Sequence, residues 1–211
     1  MIRDDLARLI KSGYRAVGEL EFDETASGYR LYHWSDRNAL QNAQRYHSSQ
    51  AARELAKYDA GGNYRPLKGA PDLPSGWVIE LETIDELRKA LDYFYPGAIA
   101  TWVAYQNGKT TPVSLRETVN RQSGMYRVTR KLGGEQARTL VKEVCRSEDR
   151  CLRTILWGIE ENQTPDFLPP SKSDPGFDQT GQNRAAIPFL CLEACNVLIA
   201  RARSMLSRRS G

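Results

Sequence analysis

Two stretches decide the fold of this chain: VCRSEDRCLRTILWGIE, residues 144–160, and IPFLCLEACNVLIARAR, residues 187–203. Together they contain the four cysteines of the chain, which are Cys145, Cys151, Cys191 and Cys195. The cysteines form a C-x5-C pair and a C-x3-C pair separated by 39 residues. Thiols paired at short spacings across one long connection are typical of ligands that converge on a metal centre. The sequence therefore predicts a 4Fe-4S cluster with four cysteine thiolates as its ligands.

The local sequence predicts how each pair is presented. Cys191 and Cys195 are four residues apart, so a helix with Pro188 in its first turn would place both on one face. The positive end of that helix dipole would favour two thiolates. In the other stretch, apolar residues recur at helical spacing over GEQARTLVKEV and predict a helix that ends at Cys145. Cys151 would then open the next element after a polar turn.

Two other uses of the cysteines stay open. A structural zinc site takes the same ligands, although its usual knuckles are C-x2-C or C-x4-C, and neither spacing occurs here. Two disulfides would require an oxidising compartment. The N-terminus, MIRDDLARLIKSG, is charged and amphipathic and lacks the apolar region of a secretory signal. We therefore expect a cytoplasmic protein whose thiols are reduced.

Composition narrows the class of protein. The chain has 211 residues, of which 40% are hydrophobic and 27% charged, as in ordinary globular proteins. No apolar run approaches the roughly 20 residues of a membrane span, so we expect no membrane partner. The formal charge of +4 is concentrated in the tail RARSMLSRRSG, which starts at Arg201 and has four arginines. This tail is more typical of a solvated helix end than of a nucleic-acid interface.

The expected fold class is α+β. For residues 1–110 the pattern predicts a domain of helices with a small antiparallel sheet, including a helix at 2–11, a hairpin at 14–34 and two helices between 38 and 58. A capping box at Thr83 predicts a further helix start. Residues 111–211 are predicted to form a mostly helical cluster-binding domain. It would include a strand at 125–131 and a long loop at 162–186 that wraps the cluster.

The residues also carry a family resemblance. SGMYRVTRKL, together with the two cysteine stretches, resembles the 4Fe-4S domain found with CbiX-type sirohydrochlorin cobaltochelatases. The stretches ARELAKYDAGGNYRPLKGAPDLPSGW and DELRKALDYFYPGAIATW resemble the stabilising domain that precedes it in those proteins. The resemblance covers roughly residues 30–203 and implies that the four cysteines are the cluster ligands. The chelatase domain of that family has no counterpart in this sequence.

The resemblance leads to a functional expectation with two alternatives. The favoured function is an accessory or redox unit in tetrapyrrole or cobalamin (sirohydrochlorin) metabolism, with a CbiX-type chelatase or a tetrapyrrole as partner. The cysteine spacing is also similar to that of sulfite and nitrite reductases, where it would couple the cluster to sirohaem through Cys195. The first alternative is therefore a tetrapyrrole-binding reductase, and the second is a non-catalytic structural or redox-sensing module. No catalytic acid, base or nucleophile is recognisable, so the sequence leaves open whether the chain is an enzyme.

Other residues have weaker roles in this prediction. A cradle for tetrapyrrole carboxylates could be formed by basic side chains, although solvated surface charges are the more ordinary interpretation. These side chains are Arg65, Lys68, Arg127, Arg130 and Lys131. Trp157 and Tyr126 are close in sequence to cluster ligands and would pack against the cluster. With only two histidines, His33 and His47, the sequence does not favour a histidine-based metal site.

Overall fold

The computed structural model describes residues 2–65, 69–121, 132–145, 151–165 and 185–207 of the chain. Helices and strands are mixed along these ranges, which confirms the α+β class. The elements are α1 (Ile2–Lys11), β1 (Tyr14–Val17), β2 (Leu20–Thr25), β3 (Gly28–His33), β4 (Gln44–Tyr46), α2 (Ser49–Leu55), β5 (Trp77–Leu81), α3 (Ile84–Phe94), α4 (Ala98–Gln106), α5 (Leu115–Asn120), α6 (Gly134–Cys145), β6 (Thr154–Ile155), β7 (Ala185–Ile187), β8 (Leu190–Cys191) and α7 (Asn196–Ser207).

A six-stranded mixed sheet, in the order β4-β5-β3-β2-β1-β7, forms the centre of the N-terminal half. Its four middle strands are antiparallel, and β2 and β3 form the predicted hairpin with Thr25 opposite Gly28. Gly28 has a φ of 142°, and a Cβ there would lie 2.2 Å from the carbonyl oxygen of Leu81, so the turn requires glycine. The edge strands β4 and β7 run parallel to β5 and β1. The structure thus adds a parallel strand at each edge of the predicted antiparallel sheet.

The first hydrophobic core lies between this sheet and the N-terminal helices. Helix α3 contributes most clearly, because its apolar residues recur at helical spacing and face the strands. Phe94 of α3 stacks on Trp77 of β5 with ring centroids 5.2 Å apart. The helix begins at the predicted capping box, where the Thr83 hydroxyl accepts a hydrogen bond from the Glu86 N–H. Burial of this face fixes α3 on the sheet.

The second core is built from α5, α6, α7 and a small parallel sheet of β6 and β8. Helix α6 is present as the sequence predicts and reaches Cys145, the last residue of its described range. Helix α5 is capped by Ser114, whose hydroxyl accepts a hydrogen bond from the Glu117 N–H at 3.1 Å. Trp157 is 1% exposed and is the largest side chain of this core. The cysteines Cys145 and Cys191 are both part of its buried cluster.

A short segment at 185–191 joins the two cores. Its first strand, β7, pairs with β1 and places Ile187 opposite Val17 in the first sheet. Ile187 and Phe189 are 1% and 5% exposed and pack in the first core. Two residues later, Cys191 is paired with Ile155 of β6 and packs in the second core. The position of Cys191 therefore depends on both halves of the molecule.

The prediction of a helix with Pro188 in its first turn is wrong. Cys191 lies on β8, because its backbone pairs with β6. Cys195 precedes α7, and its carbonyl oxygen accepts the Ile199 N–H at 3.1 Å. The two cysteines therefore do not share a helix face. Four-residue spacing is compatible with a helix, but strand pairing between distant segments decided the local structure here.

Residues 38–58 differ from the prediction, and two predicted segments of the C-terminal half are not described. Of the two α-helices expected between 38 and 58, a stretch that the structure describes throughout, only α2 is present. Strand β4 precedes it, because Gln44, Arg45 and Tyr46 pair with β5. The strand expected at 125–131 and most of the loop expected at 162–186 lie outside the described residues. None of the helices in the described ranges is long and apolar enough to cross a membrane.

Candidate metal centre

All four cysteines lie in the described part of the chain, and none forms a disulfide. Cys145 is buried at the end of α6, and Cys191 is buried on β8. Cys151 is half-buried at the start of the segment that leads into β6, and Cys195 is exposed directly before α7. A group held by all four thiols would therefore have its Cys195 side nearest to solvent.

The thiols of Cys151, Cys191 and Cys195 share one electrostatic environment. Burial raises the pKa of the Cys191 thiol, and the thiols of Cys151 and Cys195 raise it further because neighbouring negative charges oppose ionisation. A metal centre removes this conflict, since its positive charge displaces the thiol protons. Cys145 lies in the same buried cluster as Cys191. Thiolates are the ligands that an iron–sulfur cluster takes, so the type of donor fits, although the described side chains are not arranged around one metal ion.

Trp157 donates a hydrogen bond to the sulfur of Cys191. The indole Nε1 lies 3.2 Å from Sγ, and this bond lowers the pKa of the thiol because it favours negative charge on the sulfur. In the thiol form, the S–H of Cys191 donates to the carbonyl oxygen of Glu193 at 3.2 Å. Trp157 lies in the second core and makes this bond to Cys191, whereas its packing against a cluster stays a prediction. Tyr126, its predicted companion, is outside the described residues.

Arg153 brings a positive charge to the cysteines, and the sequence interpretation missed it. Its charge lowers the pKa of the Cys191 thiol, against the effect of burial. Its guanidinium lies over the ring of Phe189, 4.3 Å from the centroid, which holds the side chain in place. The available signal was the two-residue spacing from Cys151, which puts both side chains on one side of an extended chain. Cationic residues of this kind offset the negative charge of several thiolates.

The N-terminal half also contacts the cysteine site. The Leu152 N–H donates to the carbonyl oxygen of Gly69 at 2.7 Å. A Cβ on Gly69 would lie 3.6 Å from the sulfur of Cys151 and 3.5 Å from Nε of Arg153. Leu152 packs against the first core. The loop that contains Gly69 therefore lies directly against Cys151, although it belongs to the other half of the chain.

Both histidines are engaged away from the cysteines. Nε2 of His33 lies 3.5 Å from a carboxylate oxygen of Glu19, and Nδ1 of His47 lies 3.3 Å from a carboxylate oxygen of Glu80. Within the described ranges, which include all four cysteines, no group of three or more His, Cys, Asp or Glu side chains is arranged to hold a metal ion.

The structure also bears on the proposed basic cradle. The guanidinium of Arg65 is completely buried, is paired with Asp72 and donates to the carbonyl oxygen of Ala70 at 2.7 Å. It is therefore committed inside the N-terminal half and cannot reach an external carboxylate. The other four members, Lys68, Arg127, Arg130 and Lys131, lie outside the described residues.

Comparison with known families assigns both halves of the chain. Residues 3–106 match the family model of the DR2241 stabilising domain, and residues 107–204 match that of a 4Fe-4S iron-sulfur cluster binding domain. The two matches follow each other along the chain, and they are the two domains that the sequence resembles. With the thiol-rich site of its second half, the chain is an iron–sulfur protein.

Among solved structures, the chain resembles DR2241 from Deinococcus radiodurans. That crystal structure, at 1.9 Å resolution, is described as a multi-domain protein with structural similarity to chelatases and with two additional novel domains. The two chains are 26% identical with a TM-score of 0.73, and the match covers 98% of this chain and 41% of DR2241. The chain therefore spans about two fifths of that protein. No curated protein matches the chain.

Proposed function

We propose that the chain holds a 4Fe-4S cluster through the thiolates of all four cysteines and serves a chelatase-like partner as an accessory or redox unit. The structural observation that supports this most is that Cys145 and Cys191 lie in one buried cluster with Trp157, whose indole Nε1 lies 3.2 Å from the Cys191 sulfur. The family match over residues 107–204 supports the type of cluster. The ligands are Cys145, Cys151, Cys191 and Cys195.

The residues around the cysteines have separate tasks in this proposal. When bound, a 4Fe-4S cluster supplies one-electron transfer. Trp157 directs an N–H at the Cys191 sulfur and so stabilises negative charge there. Arg153 supplies a fixed positive charge beside the thiolates. The first core and the loop at Gly69 cover the Cys151 side, whereas Cys195 remains the exposed corner.

Replacing each cysteine by serine tests the ligand assignment. A serine hydroxyl is a poor substitute for a thiolate, so each variant should lose most of its iron and sulfide after anaerobic reconstitution. Val197→Ser is a suitable control, because it introduces the same hydroxyl at a half-exposed position two residues from Cys195. Full iron content in any single cysteine variant would remove that cysteine from the ligand set.

The accessory role rests on the relative's similarity to chelatases. In DR2241 the part that corresponds to this chain occupies only 41% of the length, so a chelatase-like protein is the partner we propose in tetrapyrrole metabolism. The test is co-purification of the reconstituted chain with such a chelatase, together with titration of the chain with sirohydrochlorin. Binding of the chelatase without a spectral change would support an accessory unit, and absence of both responses would contradict the proposal.

A shift of the visible bands on adding sirohydrochlorin would instead favour a tetrapyrrole-binding reductase. The direct measurement is then the rate at which the reduced cluster is reoxidised with and without the tetrapyrrole. A reductase requires this rate to rise, whereas an accessory unit leaves it unchanged.

A further inference from the structure

The Cys151 segment is anchored on the N-terminal half by consecutive residues. Leu152 donates its N–H to the carbonyl oxygen of Gly69, and its side chain packs in the first core. Arg153 lies over Phe189, another residue of that core. A Cβ on Gly69 would be in van der Waals contact with the sulfur of Cys151. The place of Cys151 therefore depends on where the loop holds Gly69.

Arg65 fixes this loop from inside. Its Nη2 donates to the carbonyl oxygen of Ala70 at 2.7 Å, which is the residue next to Gly69. Its Nε donates to the carboxylate of Asp72, and its backbone N–H donates to the carbonyl oxygen of Lys57 at 2.7 Å. The planar guanidinium can contact both ends of the turn at once, which an ammonium group cannot do with the same geometry. Arg65 thus holds residues 70 and 72 together at one side of the cysteine site.

Arg65 is in turn held by Tyr95, whose hydroxyl is bonded to the residue before strand β2. Its guanidinium lies 5.9 Å from the centroid of the Tyr95 ring. The Tyr95 hydroxyl accepts the Glu19 N–H at 2.9 Å, and the Glu19 carboxylate accepts the Leu73 N–H at 3.3 Å. The loop is therefore tied to the strand that begins after Glu19. Buried, charge-assisted bonds of this kind resist local opening.

We propose that Arg65 is a positioning residue for Cys151: by fixing the loop at Gly69, it holds the Cys151 segment in place and slows the loss of the cluster. This inference rests on the proposed function, since it assumes that Cys151 is a cluster ligand. It gives the N-terminal domain a specific task at the metal centre, which is to retain a ligand that its own chain segment does not fully bury.

The test measures cluster release from the reconstituted full chain. Arg65→Lys keeps the charge and removes the planar fork. The rate is followed anaerobically as loss of visible absorbance in the presence of an iron chelator. EPR of the reduced cluster reports the ligand geometry, and the melting temperature of the cluster-free protein reports general stability. We expect Arg65→Lys to load iron normally, to release it about tenfold faster and to show a changed EPR line shape.

Two controls separate positioning from general destabilisation. Arg88→Lys alters another arginine–aspartate pair of the same domain, formed with Asp92 on α3. Phe94→Leu weakens the first core at a fully buried position and removes none of the hydrogen bonds that hold the loop. Both should release the cluster at the wild-type rate. The inference is overturned if Arg65→Lys releases iron at the wild-type rate, or if Phe94→Leu accelerates release as much for an equal fall in melting temperature.

Two substitutions of Gly69 test the inference if Arg65→Lys does not fold. Gly69→Ala adds a Cβ that makes only ordinary contacts, so its release rate should stay at the wild-type value. Gly69→Tyr introduces a ring against Cys151 and should accelerate release while leaving Arg65 intact. A wild-type rate for Gly69→Tyr overturns the inference. Absence of a cluster in the wild-type chain would instead refute the proposed function, and this inference with it.

Discussion

The indole of Trp157 shows how one residue couples the core to the metal centre. It is 1% exposed, fills the second core and still directs its only polar atom at the sulfur of Cys191. Hydrogen bonds to ligand sulfurs stabilise the more negative, reduced state of a cluster and therefore raise its reduction potential. A side chain that packs the core would thus also raise the reduction potential of the proposed cluster.

Trp157→Phe should lower the reduction potential of the reconstituted cluster. The substitution removes one neutral N–H donor and keeps most of the aromatic volume, so we expect a decrease on the order of tens of millivolts. Redox titration followed by EPR measures it. Trp77→Phe is the matched control, because that indole donates to the carbonyl oxygen of Pro74 in the first core. An unchanged potential in Trp157→Phe would contradict the role assigned to the bond.

Gly18 is needed for the packing of Tyr95. Its φ is 55°, and a Cβ there would lie 2.5 Å from the Tyr95 ring. We expect Gly18→Ala to lower the free energy of unfolding by roughly 2–4 kcal/mol through backbone strain and overpacking. Gly13 has a φ of 93° with no atom within 4 Å of an added Cβ, so Gly13→Ala should cost only about 1 kcal/mol. Urea denaturation compares the two, and equal losses would show that the contact with Tyr95 is unimportant.

Strand β7 links the two halves of the chain, because its three residues come from the C-terminal half and form one edge of the N-terminal sheet. Ile187 is 1% exposed in the first core. We expect Ile187→Ala to lower the free energy of unfolding by about 2–5 kcal/mol, since it leaves a cavity beneath the edge strand. Urea denaturation followed by tryptophan fluorescence measures this loss.

Val197→Ala serves as the control for this substitution, because Val197 is 50% exposed on α7. Its effect should stay within about 0.5 kcal/mol. If Ile187→Ala also stays within that range, β7 does not contribute to the first core in solution.

Elements whose signals are local could be predicted from the sequence. The capping box at Thr83 predicted the start of α3, and apolar periodicity predicted α6 as far as Cys145. The surroundings of Cys191 could not be predicted this way. Its strand exists only because β6 lies beside it, and a pairing between residues 36 positions apart leaves no periodic pattern in the short segment 190–191.

In the cysteine site too, local signals could be predicted and contacts between distant segments could not. Cysteine spacing identified the candidate ligands, because ligand residues are chemically distinctive, and the assignment of all four remains a prediction. Arg153 has only its two-residue spacing from Cys151 as a signal, and Gly69 has none, because its contact with the Cys151 segment arises from how the two halves of the chain fold against each other. The sequence suggested a cradle member or a solvated charge for Arg65, and neither describes its buried position, because a sequence shows charge without showing burial. The proposed boundary near residue 110 also remains a prediction.

At the scale of the whole molecule, the segment at 185–191 makes the two halves interdependent. We therefore expect the reconstituted chain to unfold in a single calorimetric transition and not in one transition for each half. Removing the cluster should lower the melting temperature, because a group that binds only the folded state stabilises it. Differential scanning calorimetry of both forms measures this. Two well-separated transitions in the reconstituted protein would contradict the interdependence.

The proposed 4Fe-4S cluster is tested by iron and sulfide analysis after anaerobic purification, with visible and EPR spectra before and after dithionite. We expect about four irons and four sulfides per chain, with a broad band at about 400 nm that bleaches on reduction. Bound zinc without visible absorption would contradict it and would make the four cysteines a structural site.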